Sequence, residues 1–246
     1  MLKEVSNLFE NLSLATVLHD PHSHLYDAII KNGDRLRDCK YVNKYVAISN
    51  ETSKSIVDLL LDLDFTIYRV EKRGAGNARR DLLKNLPFNK VLLYHYCDFD
   101  RFLTWINYHM EELDTLNRYI ETNNYDYIII GRTMKAFNTH PLSWIETEKI
   151  SNKLFSDYIG FDCDVTAGSC IINSEMLDLI VKNSYRRVTD VEWPLLLKEY
   201  KIGYYRTNGL RFTDYNKSSD DISLSSWVSR LELTTSIAKT IKELSD

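Results

Sequence analysis

The sequence predicts an α/β fold with a Rossmann-like, mostly parallel central sheet flanked by helices. Segments patterned like strands alternate with segments of helical periodicity through the first hundred residues, which implies crossover connections between parallel strands. Residues 91–97 form a nearly unbroken apolar and aromatic run, as expected of a strand covered on both faces. At 246 residues the chain suits one substantial domain and does not require two.

In the first half, the strands are predicted from short apolar runs and the helices from apolar stripes at helical spacing. The predicted strands are residues 14–19, 45–49, 65–70 and 91–97, and Asp20-Pro21 ends the first. The predicted helices carry Leu25, Ala28, Ile29 and Leu36; Ile56, Val57, Leu60 and Leu61; and, after Gly76, Ala78, Leu82, Leu83 and Leu86.

The second half is less regular. Its predicted strands are residues 127–131, 169–173 and 202–206. Its predicted helices are residues 102–122, residues 147–158, one through Leu177 and Ile180, one beginning at Thr189, and residues 226–244. The last has an apolar stripe without a strongly basic opposite face, so it is expected to close the domain and not to lie on a membrane.

Charge and composition exclude several classes. With 31 Lys and Arg against 35 Asp and Glu, the net charge of −4 shows no basic excess, which argues against nucleic acid as a partner. No apolar run is long enough to span a bilayer, and no secretion leader is recognised, so a cytoplasmic protein is expected. Contact with the inner face of a membrane remains open. The cysteines, Cys39, Cys97, Cys163 and Cys170, lack metal or disulfide spacing and are predicted to be free thiols.

Two carboxylates, Asp98 and Asp100, follow the central strand at once. If the chain stays extended, they project to the same side at the carboxyl end of the strand, where open α/β sheets bind ligands. Two nearby carboxylates repel unless a cation lies between them, and Mg²⁺ or Mn²⁺ completed by substrate phosphates is the simplest choice. The alternative is a polar strand end, with Asp100 capping the next helix. A second D-x-D, Asp162 and Asp164, has no buried run before it and is expected to cap a turn or line an acceptor pocket.

A glycine-rich stretch, residues 74–79, resembles a dinucleotide fingerprint, but Arg79 stands where the third glycine should be. Arg79 and Arg80 suggest instead guanidinium groups aimed at a nucleotide, or surface arginines on a turn. His19, His22 and His24 bracket the end of the first strand. No nearby group of cysteines or carboxylates completes a tetrahedral zinc site with them. These histidines are therefore expected to line a nucleotide pocket or to lie in a solvated turn.

Residues 189–194 also support two interpretations. Thr189 and Glu192 match the capping-box pattern, which is structural. An acid at a helix start beside Trp193 would equally suit a general base next to a sugar ring. We therefore predict Asp190 as the base, with Glu192 as second choice.

Taken in order, these motifs resemble the nucleotide-sugar-dependent glycosyltransferases of the GT-A fold, closest in plan to the large inverting family. Ala78-Arg79-Arg80 resembles its arginine motif, Asp98-Phe99-Asp100 its D-x-D, and residues 189–192 its late acidic motif. Asn50 and Glu51 fall where that family has an acidic turn that contacts the base.

The resemblance implies a GT-A-like domain with a nucleotide-binding half (1–101), an acceptor-side half (102–225) and a C-terminal helix (226–246). It implies transfer of a hexosyl or related sugar from a nucleotide-diphosphate sugar to an acceptor hydroxyl on a glycan, lipid or protein, with Mn²⁺ or Mg²⁺ and with inversion. The implied roles form four sets. Asp98 and Asp100 would bind the metal, and Asp190 or Glu192 would act as the base. The residues expected to contact the nucleotide are Asp20, Asn50, Glu51, Arg79 and Asp98. The residues expected to contact the acceptor are His140, Trp144 and Trp193.

Two rival enzyme classes require a glycine-rich loop after the first strand. Sugar-1-phosphate nucleotidylyltransferases and methyltransferases are disfavoured because residues 20–24 contain no glycine. A non-catalytic module of the same fold, which binds a nucleotide sugar or a protein, remains the alternative.

Overall fold

The computed structural model describes residues 11–88, 92–216 and 223–245, which form a seven-stranded mixed sheet flanked by helices. The strands are β1 Leu12–Leu18, β2 Lys44–Ser49, β3 Phe65–Val70, β4 Leu93–Cys97, β5 Tyr127–Arg132, β6 Ser169–Asn173 and β7 Ile202–Thr207. The helices are α1 Tyr26–Lys31, α2 Gly33–Asp38, α3 Lys54–Asp62, α4 Ala75–Asn85, α5 Phe99–His109, α6 Glu111–Thr122, α7 Met134–Phe137, α8 Leu142–Ile159, α9 Ser174–Asn183, α10 Thr189–Leu196 and α11 Leu224–Ser245.

The strand order is β3-β2-β1-β4-β6-β5-β7, and β6 alone runs antiparallel to its neighbours β4 and β5. The predicted α/β class, the mostly parallel sheet and all seven predicted strands are confirmed. The predicted first residue of the central strand, Val91, lies outside the described residues.

Side chains alternate between two apolar cores, one on each face of the sheet. In β2, Val46 and Ile48 join the core that also contains α3 and α5, whereas Tyr45 and Ala47 join the core under α4 and α9. This alternation is expected because successive strand residues point to opposite faces. Burial on both faces also explains why β2 and β4 read as continuous apolar runs in the sequence.

The helix boundaries differ from the prediction in three places. The predicted helix 102–122 is two helices, α5 and α6, which meet at Met110. Acidic residues fill the first turn of α6, where the helix dipole favours negative charge, and this helps a new helix to begin there. The helix before β2 is likewise divided at Asn32, and α8 begins at Leu142, five residues before the predicted start.

The C-terminal helix α11 packs against α8 and α10, as predicted for a closing helix. All four cysteines are buried free thiols, as predicted. In the described parts of the chain, no helix has the length and hydrophobicity that a bilayer-spanning segment needs.

A buried ion pair joins the end of β5 to the loop before β6. The Arg132 guanidinium donates to both oxygens of Asp164, at 2.7 Å and 2.8 Å, and to Glu148 of α8 at 2.7 Å. Burial alone would raise the pKa of Asp164, but the charge and hydrogen bonds of Arg132 outweigh it and hold that pKa well below its usual value. Asp164 of the second D-x-D therefore has a structural role. The same arginine, Arg132, also fixes the position of the Glu148 carboxylate.

We predict that Asp164→Asn lowers the free energy of unfolding at pH 7 by about 3 kcal/mol, because it leaves the buried Arg132 with incomplete compensation. Because the folded-state pKa of Asp164 is lowered, its stabilisation is present above the unfolded pKa, roughly 4, and is lost as pH falls below it. Urea unfolding should therefore show the two proteins converging in acid. The matched control is Asp162→Asn, because Asp162 is exposed. An equal loss of unfolding free energy in that variant would contradict the structural role of Asp164.

Candidate active site

Two cavities open at the edge of the sheet where β1 to β4 have their carboxyl ends. The larger, about 980 Å³, lies over the ends of β1, β2 and β3 and the first turns of α4 and α5. Its walls include His19, Asp20, Ser49, Gly74, Asp98 and Asp100. This is where open α/β sheets bind ligands, and the volume suits a molecule of nucleotide size.

The smaller cavity, about 500 Å³, extends from the start of α4 towards α8, α10 and α11. Its walls include Gly76, Arg79, Asp98, Trp144, Arg187 and Asp190. Both cavities are bordered by Arg73, Gly74, Ala75 and Asp98. The end of β4 and the start of α4 therefore stand where the two spaces meet.

The acidic pair lies in the larger cavity, but its local geometry is not the extended one expected. β4 ends at Cys97, Asp98 is the N-cap of α5, and Asp100 lies in the first helical turn. The Asp98 carboxylate does not cap the helix, because it is bonded to Tyr96 and Arg79, and the first helical turn buries Phe99 and Phe102 in the core. Both carboxylates nevertheless line the larger cavity.

Two side chains hold the Asp98 carboxylate. The Tyr96 hydroxyl donates to its Oδ1, and Arg79 Nη2 donates to its Oδ2 at 2.7 Å. On its other side lies Gly168, whose backbone has φ of +71°. A Cβ added at Gly168 would lie 2.9 Å from Asp98 Oδ2. The antiparallel pairing of Cys97 with Ser169 brings this glycine beside the carboxylate.

Asp100 accepts a hydrogen bond from Asn216 Nδ2 at 2.7 Å. Burial raises the pKa of Asp100, and the charge of Asp98 adds to this, while Arg101 and the Asn216 hydrogen bond oppose it. Asp214 and Asn216 line the same cavity. Carboxylates are the hard oxygen donors that Mg²⁺ and Mn²⁺ accept, so Asp98 and Asp100 fit such an ion. The Asn216 amide oxygen already accepts from the backbone N–H of Thr213.

The fit is incomplete without further ligands. Within the described residues, three acidic or histidine side chains with ligand atoms within 4.8 Å of one another occur at His109, Glu111 and Glu112, not at the D-x-D pair. Glu112 already accepts from Thr207 and Asn208. An ion on Asp98 and Asp100 would take its remaining ligands from water and phosphate, as Mg²⁺ commonly does.

Arg79 connects the acidic pair to the late acidic motif. Its Nη1 donates to Asp190 Oδ2 and to Thr189 Oγ1, at 2.5 Å and 2.9 Å, while its Nη2 holds Asp98. Burial alone would lower the pKa of Arg79, but the two carboxylates outweigh it and raise that pKa. Arg79 thus faces acidic side chains at the boundary of the smaller cavity. Although predicted to bind the nucleotide, it does not line the larger cavity.

Asp190 lines the smaller cavity, but Glu192 and Trp193 do not. Glu192 is fully buried and accepts from Ser184 Oγ and from the backbone N–H groups of Tyr185 and Arg186. It therefore anchors the loop before α10, and this excludes it as the base in this conformation. The capping box is also absent, because the N-cap of α10 is Val188 and not Thr189.

Trp193 is 1% exposed and packs its ring against Tyr96, with 5.8 Å between centroids. Since it is a core residue, it presents no face to an acceptor. His140 is also buried, outside both cavities, between Trp144 and Phe212. Burial, aided by the charge of Arg132, lowers the pKa of His140 to about 2. Of the three predicted acceptor residues, only Trp144 lines the smaller cavity.

The predicted nucleotide residues are divided between the cavity and its surroundings. Asp20 lines the larger cavity, but its two oxygens accept from the backbone N–H groups of His24 and Leu25, each at 2.9 Å, and so shape the loop after β1. Asn50 and Glu51 are exposed and are not part of its wall. Ser49, one residue earlier, is part of the wall and bonds to His19 Nδ1 at 2.7 Å.

Sequence reasoning missed two groups of residues. Asp214 and Asn216 follow β7 and line the larger cavity, although they lie more than a hundred positions after Asp98 and Asp100 in the sequence. Their D-x-N spacing is the only local feature that could have indicated a binding role. Arg101, Arg187 and Arg230 line the smaller cavity from three separate elements, and no sequence pattern connects them. Arg230 shows that α11 builds the cavity as well as closing the domain.

Comparison with known proteins was made at three levels. No protein-family model matches the chain, and no curated protein matches its sequence. Solved structures do match. Glucosyl-3-phosphoglycerate synthase from Mycobacterium tuberculosis, in complex with Mn²⁺, UDP and phosphoglyceric acid, has a TM-score of 0.57 at 12% identity and covers 94% of this chain and 78% of its own.

The fold is GT-A-like. Two further complexes of that synthase agree. The complex with Mn²⁺, UDP-glucose and phosphoglyceric acid has a TM-score of 0.58 at 10% identity, with 94% and 80% of the two chains covered. The complex with Mn²⁺, UDP-glucose and glycerol 3-phosphate has a TM-score of 0.56 at 10% identity, with 95% and 79% covered. The TM-scores establish the shared architecture, and at such low identity the site must be judged on its own residues.

We predict that Gly168→Ala disrupts the acidic pair, because its new methyl group would contact Asp98. Gly160→Ala is the matched control: Gly160 has a similar φ of +89° but no atom within 4 Å of an added Cβ. Both variants should lose about 1 kcal/mol of unfolding free energy through left-handed strain. If Asp98 holds a divalent metal, only Gly168→Ala should weaken the binding of Mn²⁺, measured by titration calorimetry; equal binding by both variants would contradict a role for Asp98 in metal binding.

Proposed function

We propose that the chain transfers a sugar from a nucleotide-diphosphate sugar to a hydroxyl group of a small acceptor, in a reaction that depends on a divalent metal. The observation that carries this proposal is the position of Asp98. It borders both a cavity large enough for the donor and a second cavity large enough for a small acceptor. A transferase needs its donor and acceptor to meet at one point, and Asp98 stands at that point.

The larger cavity is proposed as the donor site. His19 and Ser49 would contact the nucleoside at the ends of β1 and β2. The first turn of α4 also borders this cavity, and helix N-termini favour phosphate through their unpaired N–H groups. The solved structures of the same fold that contain UDP or UDP-glucose together with Mn²⁺ are precedents for such a donor.

Asp98 and Asp100 would hold the metal. When bound, Mn²⁺ or Mg²⁺ offsets the negative charge that develops on the diphosphate as the sugar–phosphate bond breaks. The hydrogen bond from Arg79 fixes one oxygen of Asp98 at the boundary between the cavities. Tyr96 fixes the other oxygen of the carboxylate.

On the acceptor side, Asp190 is proposed as the base that receives the hydroxyl proton in a single displacement with inversion. It is the acidic residue of α10 in the smaller cavity, and its side chain is 19% exposed. Its ion pair with Arg79 must loosen or rotate when the acceptor binds, because a base needs a free lone pair within hydrogen-bond reach of the hydroxyl. Trp144 is proposed to shape the opposite wall.

The first test is turnover of a panel of nucleotide-diphosphate sugars with and without Mn²⁺. We expect metal-dependent release of nucleoside diphosphate, reduced at least about 100-fold in Asp98→Asn and Asp100→Asn because phosphate charge is then poorly offset. Exposed Asp58→Asn, whose carboxylate pairs with Lys54 on the surface, is the control. Metal-dependent binding without turnover, with or without acceptors, would favour the non-catalytic module.

The second test concerns the base. Asp190→Asn should lower kcat by about 10²- to 10⁴-fold, as expected for loss of a general base. The anomeric configuration of the product, determined by proton NMR, should be opposite to that of the donor. A product with the donor's configuration would overturn both inversion and the role of Asp190 as base in a single displacement.

A further inference from the structure

Arg79 is buried in the wall of the smaller cavity, at 8% exposure, and two carboxylates compensate its charge. Its Nη2 donates to Asp98 Oδ2 at 2.7 Å, and its Nη1 donates to Asp190 Oδ2 at 2.5 Å. Asp98 borders both cavities, whereas Asp190 borders only the smaller one. One guanidinium group therefore connects the acid proposed to hold the metal with the acid proposed as the base.

The two ion pairs of Arg79 cannot change independently. A guanidinium group is planar and rigid, so a rotation that moves Nη2 away from Asp98 also moves Nη1 away from Asp190. The third nitrogen, Nε, is buried and has no hydrogen-bond partner within residues 11–88, 92–216 and 223–245. An unpartnered buried donor is costly. An oxygen-rich ligand beside Asp98 would supply the acceptor that Nε lacks.

The Asp98 carboxylate is engaged on both oxygens. Tyr96 donates to Oδ1, and Oδ2 has Arg101 Nε at 3.9 Å in addition to Arg79. Gly168 closes the same side, since a Cβ there would lie 2.9 Å from Oδ2. A divalent cation that approaches Asp98 therefore meets guanidinium groups that are already paired with it. Like charges repel strongly where little water lies between them.

The Asp190 carboxylate depends on Arg79 alone for its charge compensation. In the described part of the chain, no other cationic group lies within 4.0 Å of it. Thr189 Oγ1 accepts from the same Nη1 at 2.9 Å, which fixes the direction of this donor. A movement of Arg79 would therefore free Asp190 without any other contact having to break.

We propose that Arg79 interlocks the metal site with the base: it competes with a divalent cation for Asp98, and it releases Asp190 when the diphosphate of a donor offers it phosphate oxygens. The inference rests on the proposed function for the donor, the metal and the base, and adds how they are coupled. Without a nucleotide, Arg79 has no new partner to move to, so Asp98 binds a cation weakly. Phosphate oxygens suit a guanidinium group and accept charge-assisted hydrogen bonds from it.

This interlock gives the reaction an order. The loosening that the acceptor hydroxyl needs at Asp190 begins when the donor binds beside Asp98. Before that, Asp190 remains paired and presents no free base to an acceptor. Binding of a divalent cation and binding of a diphosphate should therefore strengthen each other, because both draw on the same movement of Arg79.

The test is a double-mutant cycle in which titration calorimetry measures Mn²⁺ binding to the full chain without nucleotide. Asp190→Asn should weaken Mn²⁺ binding about 3- to 10-fold, because Arg79 then pairs only with Asp98. Arg79→Gln should strengthen Mn²⁺ binding about 10-fold, as expected when a competing charged donor is removed. In the Arg79→Gln background, Asp190→Asn should have no effect, because Asp190 acts on the metal site only through Arg79.

The matched control is Glu71→Gln. Glu71 is an exposed carboxylate in the wall of the larger cavity, and its ion pair is with Arg73 and not with Arg79. Its loss should change Mn²⁺ affinity equally with and without Arg79, as expected of a charge that acts through space. The interlock is rejected if Asp190→Asn also acts equally in both backgrounds, or if Arg79→Gln weakens Mn²⁺ binding or leaves it unchanged.

A second measurement, by NMR on the wild-type chain, does not require Arg79→Gln to fold. The Arg79 Nε–H signal, assigned by its absence from Arg79→Lys, should shift when UDP and diamagnetic Mg²⁺ are added together, because this proton gains a phosphate acceptor. The Nε–H signal of Arg69, an exposed residue of β3 outside both cavities, should stay in place. An Arg79 signal that is unchanged with UDP and Mg²⁺ would overturn the proposal.

The outcomes separate the interlock from the transferase. The expected cycle and NMR shift without turnover of any nucleotide sugar would sustain the interlock and reject the transferase. Sugar transfer in a chain whose Mn²⁺ affinity responds to Asp190→Asn equally in both backgrounds would reject the interlock and leave the transferase standing. A chain that binds neither Mn²⁺ nor UDP would refute the interlock whatever its activity.

Discussion

The double ion pair of Arg79 with Asp98 and Asp190 is the interaction on which the arrangement of the site depends. It joins α4, the end of β4 and the start of α10, and its three side chains are 10%, 21% and 19% exposed. Removing Arg79 would leave two poorly solvated carboxylates without this partner, which is costly in such surroundings. The pairing therefore sets the position of Asp98 relative to Asp190. It also sets a condition on the proposed reaction: Asp190 can act as a base only if its hydrogen bond with Arg79 breaks.

The topology of the sheet supplies the second constraint. Because β6 is antiparallel to β4, the turn that enters β6 arrives at the carboxyl end of β4, and Gly168 meets Asp98 there. The same half of the molecule contributes Glu148, held by Arg132, and the loop anchored by Glu192. The proposed acceptor side is thus built on buried polar contacts, which specify geometry because each unsatisfied member would be costly. The solved structures of the same fold show that this architecture can accommodate UDP-glucose and Mn²⁺ together.

The limits of sequence reasoning are visible at the late acidic motif. Asp190 and Glu192 are two residues apart and chemically similar, yet one lines a cavity and the other is fully buried beneath a loop. Trp144 and Trp193 are separated in the same way, one at the cavity and one in the core. Helical periodicity cannot distinguish these cases, since the direction of a short helix relative to the sheet depends on long-range packing. The capping box is absent as well, because Val188 is the N-cap and Glu192 accepts from residues 184–186 and not from its own helix N-terminus.

The sequence by itself determined the α/β class, the seven strands and the place of the acidic pair after the central strand. These follow from local apolar patterning and from the rule that parallel strands present their carboxyl ends at one edge. Tertiary structure alone decided that Arg79 turns towards carboxylates, that residues 214–216 reach the D-x-D pair, and that Arg101, Arg187 and Arg230 meet in one cavity. Those residues lie on separate elements, and no local pattern encodes which surface charges will face one another once the helices have packed.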